Sequence, residues 1–362
     1  MQLTSKQEEG LKIAIERFKN REKYTIIAGY AGTGKSTLVK FIIAALAQYG
    51  INPEEDVVYT SFTGKATQVL QKKGNKNVST LHKLLYDFFP NSDGTFYKRP
   101  VLSIRFKVVV VDECSMVPKD LLQELYKKNA YILCLGDPGQ LPPLREEDNN
   151  HLLDNPHIFL DEIMRQAAES EIIQLSMKIR NDEPIDCFQG KEVQIFKRSE
   201  LTTGMMQWAD QIICATNATR VSLNNQMREL LGRGNMPEDG DKIICLRNYW
   251  DDISDKESAL VNGTIGYLAN TTQSFLQIPY FLTTDRKPKK IDVVLANFIS
   301  DSEECFYNLT MDKKMILEGE YSLDWKTAYK MGKNKAPIPK EFTYGYAITR
   351  TQISTEVNGI KY

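Results

Sequence analysis

The stretch GYAGTGKS, Gly29 to Ser36, limits what this chain can fold into more than any other segment. It follows a short β-branched run, YTIIA at Tyr24 to Ala28. It precedes STLVKFIIAALAQYG, whose apolar spacing and closing Gly50 predict a capped helix. A strand, a glycine turn ending in Lys and Ser, and then a helix together make a phosphate-binding loop. The glycines Gly29, Gly32 and Gly34 let the backbone wrap, so that N–H groups of the loop, with Ala31, Thr33 and the helix start through Thr37, face phosphate oxygens. Lys35 then reaches the β and γ phosphates and the Ser36 hydroxyl ligates magnesium, so ATP and Mg2+ are the expected cofactors.

A second apolar run, VVVVDE, ends in Asp112 and Glu113. Four valines before two acids read as a buried strand that delivers a carboxylate pair to the carboxyl edge of a sheet, where ligands of such folds bind. Asp112 is expected to hold magnesium and Glu113 to act as general base on the attacking water. The plain alternative is a solvated pair of acids at a strand end.

Runs at Asp56 to Ser61, Phe106 to Val111, Ala130 to Leu135 and Gln211 to Thr216 alternate with helix-like stretches, the pattern of an α/β layer fold with parallel strands. From about Asp241 the segments VNGTIGYL, SFLQIPYFL and KIDVVLANFI are short, turn-bounded and β-like, and Lys330 to Lys340 reads as a basic, proline-containing connector. The 46 Lys and Arg against 47 Asp and Glu give a net charge of -1, so any polyanion site has to be local. Lys65, Lys72, Lys73, Lys76, Arg99 and Arg105 form one candidate basic groove, or else a solvated face. Six scattered cysteines without a CxxC pair and three histidines offer no zinc spacing, and no apolar run is long enough to span a membrane. The expectation is reduced thiols, no metal cage, no membrane and a cytoplasmic protein.

With GDPGQLPP at Gly136 to Pro143, the set resembles superfamily 1 DNA helicases of the 5′ to 3′ subgroup, the RecD-like and Dda-like enzymes. TSFTGKA at Thr60 to Ala66 is similar to motif Ia, STLH at Ser79 to His82 to motif Ib, and LTSKQ at Leu3 to Gln7 to the adenine-reading Q motif. LDEIMRQ, ATN at Ala215 to Asn217, GDKIICLRN and LVNGTIG continue the resemblance over nearly the whole chain. It implies that Gln7 reads adenine, Gln140 senses the γ phosphate and Arg165 acts on it as a finger. It also implies that Thr63, Lys65, His82 and Asn217 contact DNA. The segment YDFFPNSDGTFYKRP carries a turn signal between aromatic runs, and in the family a strand-separating pin stands there. Phe88 and Phe89 would stack at the fork. The residue chemistry leaves open that Arg165 is a helix-surface cation, His82 a core histidine, and the two phenylalanines packing for the hairpin.

The resemblance implies an α/β P-loop NTPase of two RecA-like parallel-sheet domains, the second incomplete. The first covers 1–150 with a pin-like hairpin at 84–103. The second covers 151–240 plus 341–362, and a small β-barrel is inserted at 241–340. Partners would be single-stranded and forked duplex DNA, in a phage or bacterial setting, in repair, recombination or replication. After EFTYGYAIT, where relatives continue with motifs V and VI, this chain reads RTQISTEVNGIKY. With suitably chosen codons, Arg350 to Ser354 and Glu356 to Tyr362 give AHKS and GSEWNKV in a shifted frame, so the tail also reads as a frameshifted motif V. The expected function is an ATP-dependent 5′ to 3′ DNA helicase; the alternative is an ATP- and single-strand-binding protein that does not unwind. A ring-forming remodeller or small-molecule kinase would share the loop and the acid pair, and GDPGQLPP argues against both.

Overall fold

The computed structural model describes residues 3–90, 96–143, 146–162, 169–185, 190–256, 258–349, 356–357 and 360–361. The chain divides into two compact units. One holds Met1–Phe62, Ala66–Asp87 and Arg99–Glu200, the other Thr63–Lys65, Phe88–Lys98 and Leu201–Tyr362.

In the first unit the central apolar runs, Tyr24–Gly29, Val108–Asp112 and Tyr131–Gly136, become strands buried along nearly their whole length. β1 (Tyr24–Gly29), β2 (Val57–Ser61), β3 (Val78–Thr80), β6 (Val108–Asp112), β7 (Tyr131–Gly136) and β8 (Ile158–Leu160) pair in the order β3-β2-β6-β7-β1-β8. All five pairings are parallel. The helix α1 (Ser5–Lys19) starts with a full capping box between Thr4 and Gln7. After it comes α2 (Lys35–Leu46), which buries Leu38, Val39, Ile42, Ile43 and Leu46 in one core with Ile27, Val57, Val110, Leu133 and Leu135. Gly10 permits α1 to lie against the sheet edge, since a Cβ there would come within 2.8 Å of Ile158. Gly50 closes the 3-10 turn Ala47–Tyr49 that follows α2, with φ +81°.

The second unit has a parallel pair, β9 (Ile212–Cys214) with β17 (Ala347–Thr349), flanked by the helix Asn217–Leu230. It also has an antiparallel five-stranded sheet ordered β15-β14-β13-β10-β16. Its members are β10 (Lys242–Cys245), β13 (Ile265–Ile278), β14 (Lys289–Ser300), β15 (Cys305–Asp312) and β16 (Phe342–Tyr344), with a separate ribbon of β11 (Tyr249–Ile253) and β12 (Ala259–Leu260). The pin segment forms the paired strands β4 (Tyr86–Pro90) and β5 (Phe96–Pro100), and its turn lies outside the described residues.

The fold class is as expected: a six-stranded parallel P-loop sheet together with separate antiparallel sheets. Three particulars differ from the sequence reading. The first unit runs past residue 150, because β8 adds to the sheet edge beside β1. The inserted sheet reaches past residue 340, because β16 pairs with β10 through Ile243 and Tyr344. The connector from Lys330 is helical as far as Lys333, since Asp324 caps the helix Trp325–Lys333 and Met331 is buried.

Candidate nucleotide site

Three strand ends meet at the carboxyl edge of the first sheet. β1 ends in Gly29, which has to be glycine: a Cβ there would meet the Leu160 carbonyl at 2.7 Å and Thr33 Oγ1 at 2.8 Å. The chain then turns through Gly32 and Gly34 at φ +78° and +81°, a left-handed backbone that places the N-terminus of α2 over the loop. Ala31, Gly32 and Ser36 are exposed along it, and Thr37 is half-buried. Thr33 is buried and its hydroxyl donates to the Tyr30 carbonyl at 2.8 Å.

Lys35 Nζ donates to the carbonyls of Gly29 at 2.7 Å and Tyr30 at 2.9 Å. Burial pushes its pKa down, while Asp137, Glu113 and Asp112 nearby favour the cation. A partly buried ammonium whose hydrogen bonds go to neutral carbonyls gains by exchanging them for a phosphate anion. Ser36 and Asp112 supply the hard oxygen donors that magnesium takes. The residues therefore fit Mg2+ and a nucleotide triphosphate.

Gln7 is buried and spans two jobs. Its Oε1 accepts from the Thr4 N–H at 3.1 Å and its Nε2 donates to the Thr33 carbonyl at 3.2 Å, tying the start of α1 to the phosphate loop.

β6 ends in Asp112 and Glu113. Glu113 has a left-handed backbone, φ 55°, and its N–H donates to Asp112 Oδ1 at 3.1 Å. Burial raises the pKa of Glu113, the Asp112 charge raises it further, and a hydrogen bond from Gln140 lowers it. Gln140 also accepts from the Ser115 hydroxyl at 3.5 Å.

The loop carrying Gln140 is held by a residue that the sequence reading missed. Asp137 is buried at 2% exposure, accepts the Gly139 N–H at 2.8 Å, and binds Arg180 Nη2 at 2.6 Å. Arg180 ends the helix Glu171–Arg180 and lays its guanidinium 4.8 Å over the Tyr30 ring of the phosphate loop. Gly139 is needed beneath it, since a Cβ would come within 2.4 Å of Arg180 Nε. An isolated Arg at a helix end carries no motif, so only its position in space reveals it.

The other expected residues stand in varied surroundings. His82 is 4% exposed, between the rings of Phe62 and Tyr86, so here it packs instead of presenting an edge to solvent. Thr63 and Lys65 are half-buried at the start of α3 (Gly64–Lys72), and Gly64 abuts Asn248 and Val261. Phe89 stacks on Tyr97 within the hairpin, with centroids 5.4 Å apart. Nothing is described of the Phe88 side chain, and Arg165 lies outside the described residues. Asn217 is exposed at the start of its helix and accepts from Thr349 Oγ1 at 3.1 Å. Of the candidate groove cations, Lys76 and Arg105 line a pocket of about 430 Å³ with Lys83, and Lys76 pairs with the exposed Glu54.

A family model described as an AAA domain matches residues 2–200, more than half of the chain. The chain belongs to this family. ATP-dependent DNA helicase dda of Enterobacteria phage T4 is 28% identical over 192 residues, 49% of this chain and 43% of that protein. The RecBCD enzyme subunit RecD of Mycolicibacterium smegmatis is 29% identical over 139 residues, 32% of this chain and 25% of that protein. These relatives put the chain in superfamily 1, with helicases of the RecD and Dda type. The crystal structure of Bacteroides Pif1 bound to ssDNA aligns with 97% of this chain and 83% of that chain, at 16% identity and a TM-score of 0.48. The chain spans less than half the length of the curated relatives it matches. Among the described residues, no helix is long and apolar enough to cross a membrane.

Proposed function

We propose that the chain is an ATP-dependent DNA translocase and helicase that moves 5′ to 3′ along single-stranded DNA and opens duplex at a fork. The observation that carries this reading is that Lys35, the acid pair and the GDPGQ loop share one strand-end site, where the Ser115 hydroxyl, two residues beyond Glu113, donates to Gln140 Oε1 at 3.5 Å. It joins the segment of the proposed proton acceptor to the GDPGQ loop.

When bound, ATP supplies the phosphoanhydride to be cleaved and Mg2+ neutralises its charge. Lys35 and the loop N–H groups hold and orient the phosphates, with Ser36 and Asp112 as the magnesium donors. Glu113 takes the proton from the attacking water and Gln140 fixes the carboxylate for that role. Arg180 keeps the Gln140 loop in register through Asp137. In this reading Gln140 also senses the γ phosphate and Arg165 acts on it as a finger. Thr63, Lys65 and Asn217 lie along the DNA path, and the hairpin from Tyr86 to Pro100 meets the fork through Phe88 and Phe89. Grip on the strand would be through phosphates and stacked bases without sequence preference. Replication, recombination or repair in a bacterial or phage-infected cell is the matching setting.

The test is the ATP hydrolysis rate of the purified chain with and without single-stranded DNA, beside Lys35→Ala. Stimulation by DNA that vanishes in Lys35→Ala is expected. Retained ATP and DNA binding without stimulation would instead assign a binding protein that does not unwind.

A further inference from the structure

Side chains along β2 alternate between the two faces of the sheet, and the pairing with β6 matches them one to one. Val57 stands opposite Val108, Tyr59 opposite Val110 and Ser61 opposite Asp112. Residues at matched positions of neighbouring strands share a face, with the strands about 4.8 Å apart. Val57, Val108 and Val110 lie in one core with Leu38, Val39 and Ile42 of α2, and Tyr59 packs against it. Ser61 and Asp112 therefore stand side by side at the carboxyl ends of the two strands, on the face covered by the helix that begins with Lys35 and Ser36.

Ser61 is 1% exposed, and its hydroxyl has no hydrogen-bond partner among the described residues. Its neighbour on the opposite face shows the usual remedy, since Thr60 Oγ1 donates to the Val110 carbonyl at 2.9 Å. A polar atom kept dry and unbonded destabilises a fold, and buried hydroxyls without a partner are rare. An alanine would occupy the same place without that cost. In TSFTGKA the resemblance assigns Thr63 and Lys65 to DNA and leaves Ser61 without a role. The group beside the orphaned hydroxyl is Asp112, whose Oδ1 accepts from the Glu113 N–H at 3.1 Å.

We infer that Ser61 is a positioning residue of the magnesium site: its hydroxyl donates to the Asp112 carboxylate when the metal is bound, and holds that carboxylate in the orientation the metal requires. This role rests on the reading of Lys35, Ser36 and Asp112 as a nucleotide and magnesium site, and deepens it. Magnesium demands near-ideal octahedral geometry, so a carboxylate free to rotate serves it poorly. A hydroxyl donating to an ionised carboxylate makes a short, strong bond. Partners of this outer kind change metal affinity by about 10–100-fold.

The experiment titrates magnesium chloride into the full chain with mant-ADP, without DNA, and follows nucleotide binding by fluorescence. The variants are Ser61→Ala and Ser61→Thr. Ser61→Ala should raise the magnesium concentration at half-effect about tenfold and leave mant-ADP affinity in EDTA unchanged. Its urea midpoint should equal or exceed that of wild type, because an unbonded buried hydroxyl has been removed. Ser61→Thr keeps the hydroxyl and should retain most of the wild-type magnesium dependence. An unchanged magnesium requirement in Ser61→Ala would overturn this role. So would a lower urea midpoint in Ser61→Ala, or equal losses in both variants, since either marks the serine as packing for the fold. If the wild-type chain shows no DNA-stimulated ATP hydrolysis while Ser61→Ala still loses magnesium affinity, the helicase reading falls and Ser61 keeps its role. A stimulated wild type with an unaltered Ser61→Ala gives the reverse.

Discussion

Glu113 shows how a single environment sets a working pH. Its carboxyl is pushed above the ordinary glutamate value of about 4.3 by burial and by Asp112, so it is protonated, and unable to accept a proton, at a higher pH than a solvent glutamate. The acid limb of kcat/KM for ATP should therefore fall off above the usual carboxylate range. The Gln140 hydrogen bond lowers that pKa, so Gln140→Ala should move the limb further up in pH, and an unmoved limb would show that Gln140 does not hold the carboxylate. Arg180 acts one step removed. Arg180→Ala leaves buried Asp137 without its cation and frees the Gly139–Gln140 turn. Turnover should drop roughly tenfold or more with a smaller change in KM, and Arg180→Lys should restore part of it. The sequence spelled out Lys35 and the acids because their motif is contiguous. Arg180 stands 43 residues from Asp137 and was invisible for that reason.

At the scale of elements, local signals were reliable wherever one residue's chemistry decides a boundary. The β-branched run of β1 became a buried strand, Gly50 ended the 3-10 turn after α2, and the valines of β6 lie in the sheet interior. Signals failed where partners decide. β8 is a three-residue strand that exists because β1 offers it an edge, and the helix through Lys333 forms because its Met331 has a small core to enter. The capping box of α1 is a sequence-local feature with a long reach, since Gln7 also supports Thr33. Thr4→Ala should cost about 1 kcal/mol in urea unfolding with ATP hydrolysis little changed. A drop in activity at equal stability would mean that the cap also positions the phosphate loop.

At the scale of the molecule, the second unit depends on a buried charge pair. Arg228 on the helix Asn217–Leu230 binds Asp241 through two hydrogen bonds of 3.1 Å, and Asp241 is fully buried. The Tyr346 hydroxyl donates to the same carboxylate at 3.0 Å, and the guanidinium lies 4.4 Å over Tyr344. Asp241→Ala should destabilise this unit by about 3–5 kcal/mol, because Arg228 is left buried without its counter-charge. All three tryptophans lie in this unit, so tryptophan fluorescence during urea unfolding reads it selectively. A midpoint equal to wild type would show that the pair is dispensable.

The sequence by itself determined the phosphate loop, the acid pair, the order of the parallel strands' apolar runs and the caps, because each rests on neighbours a few residues apart. Tertiary structure alone decided the rest. Asn224 hydrogen-bonds Tyr344 and Ala347 from 120 and 123 residues away, Arg180 reaches Asp137, His82 enters a core, and Ser61 comes to stand beside Asp112. Such pairings depend on which surfaces the folded chain brings together, and no local pattern of residues encodes them.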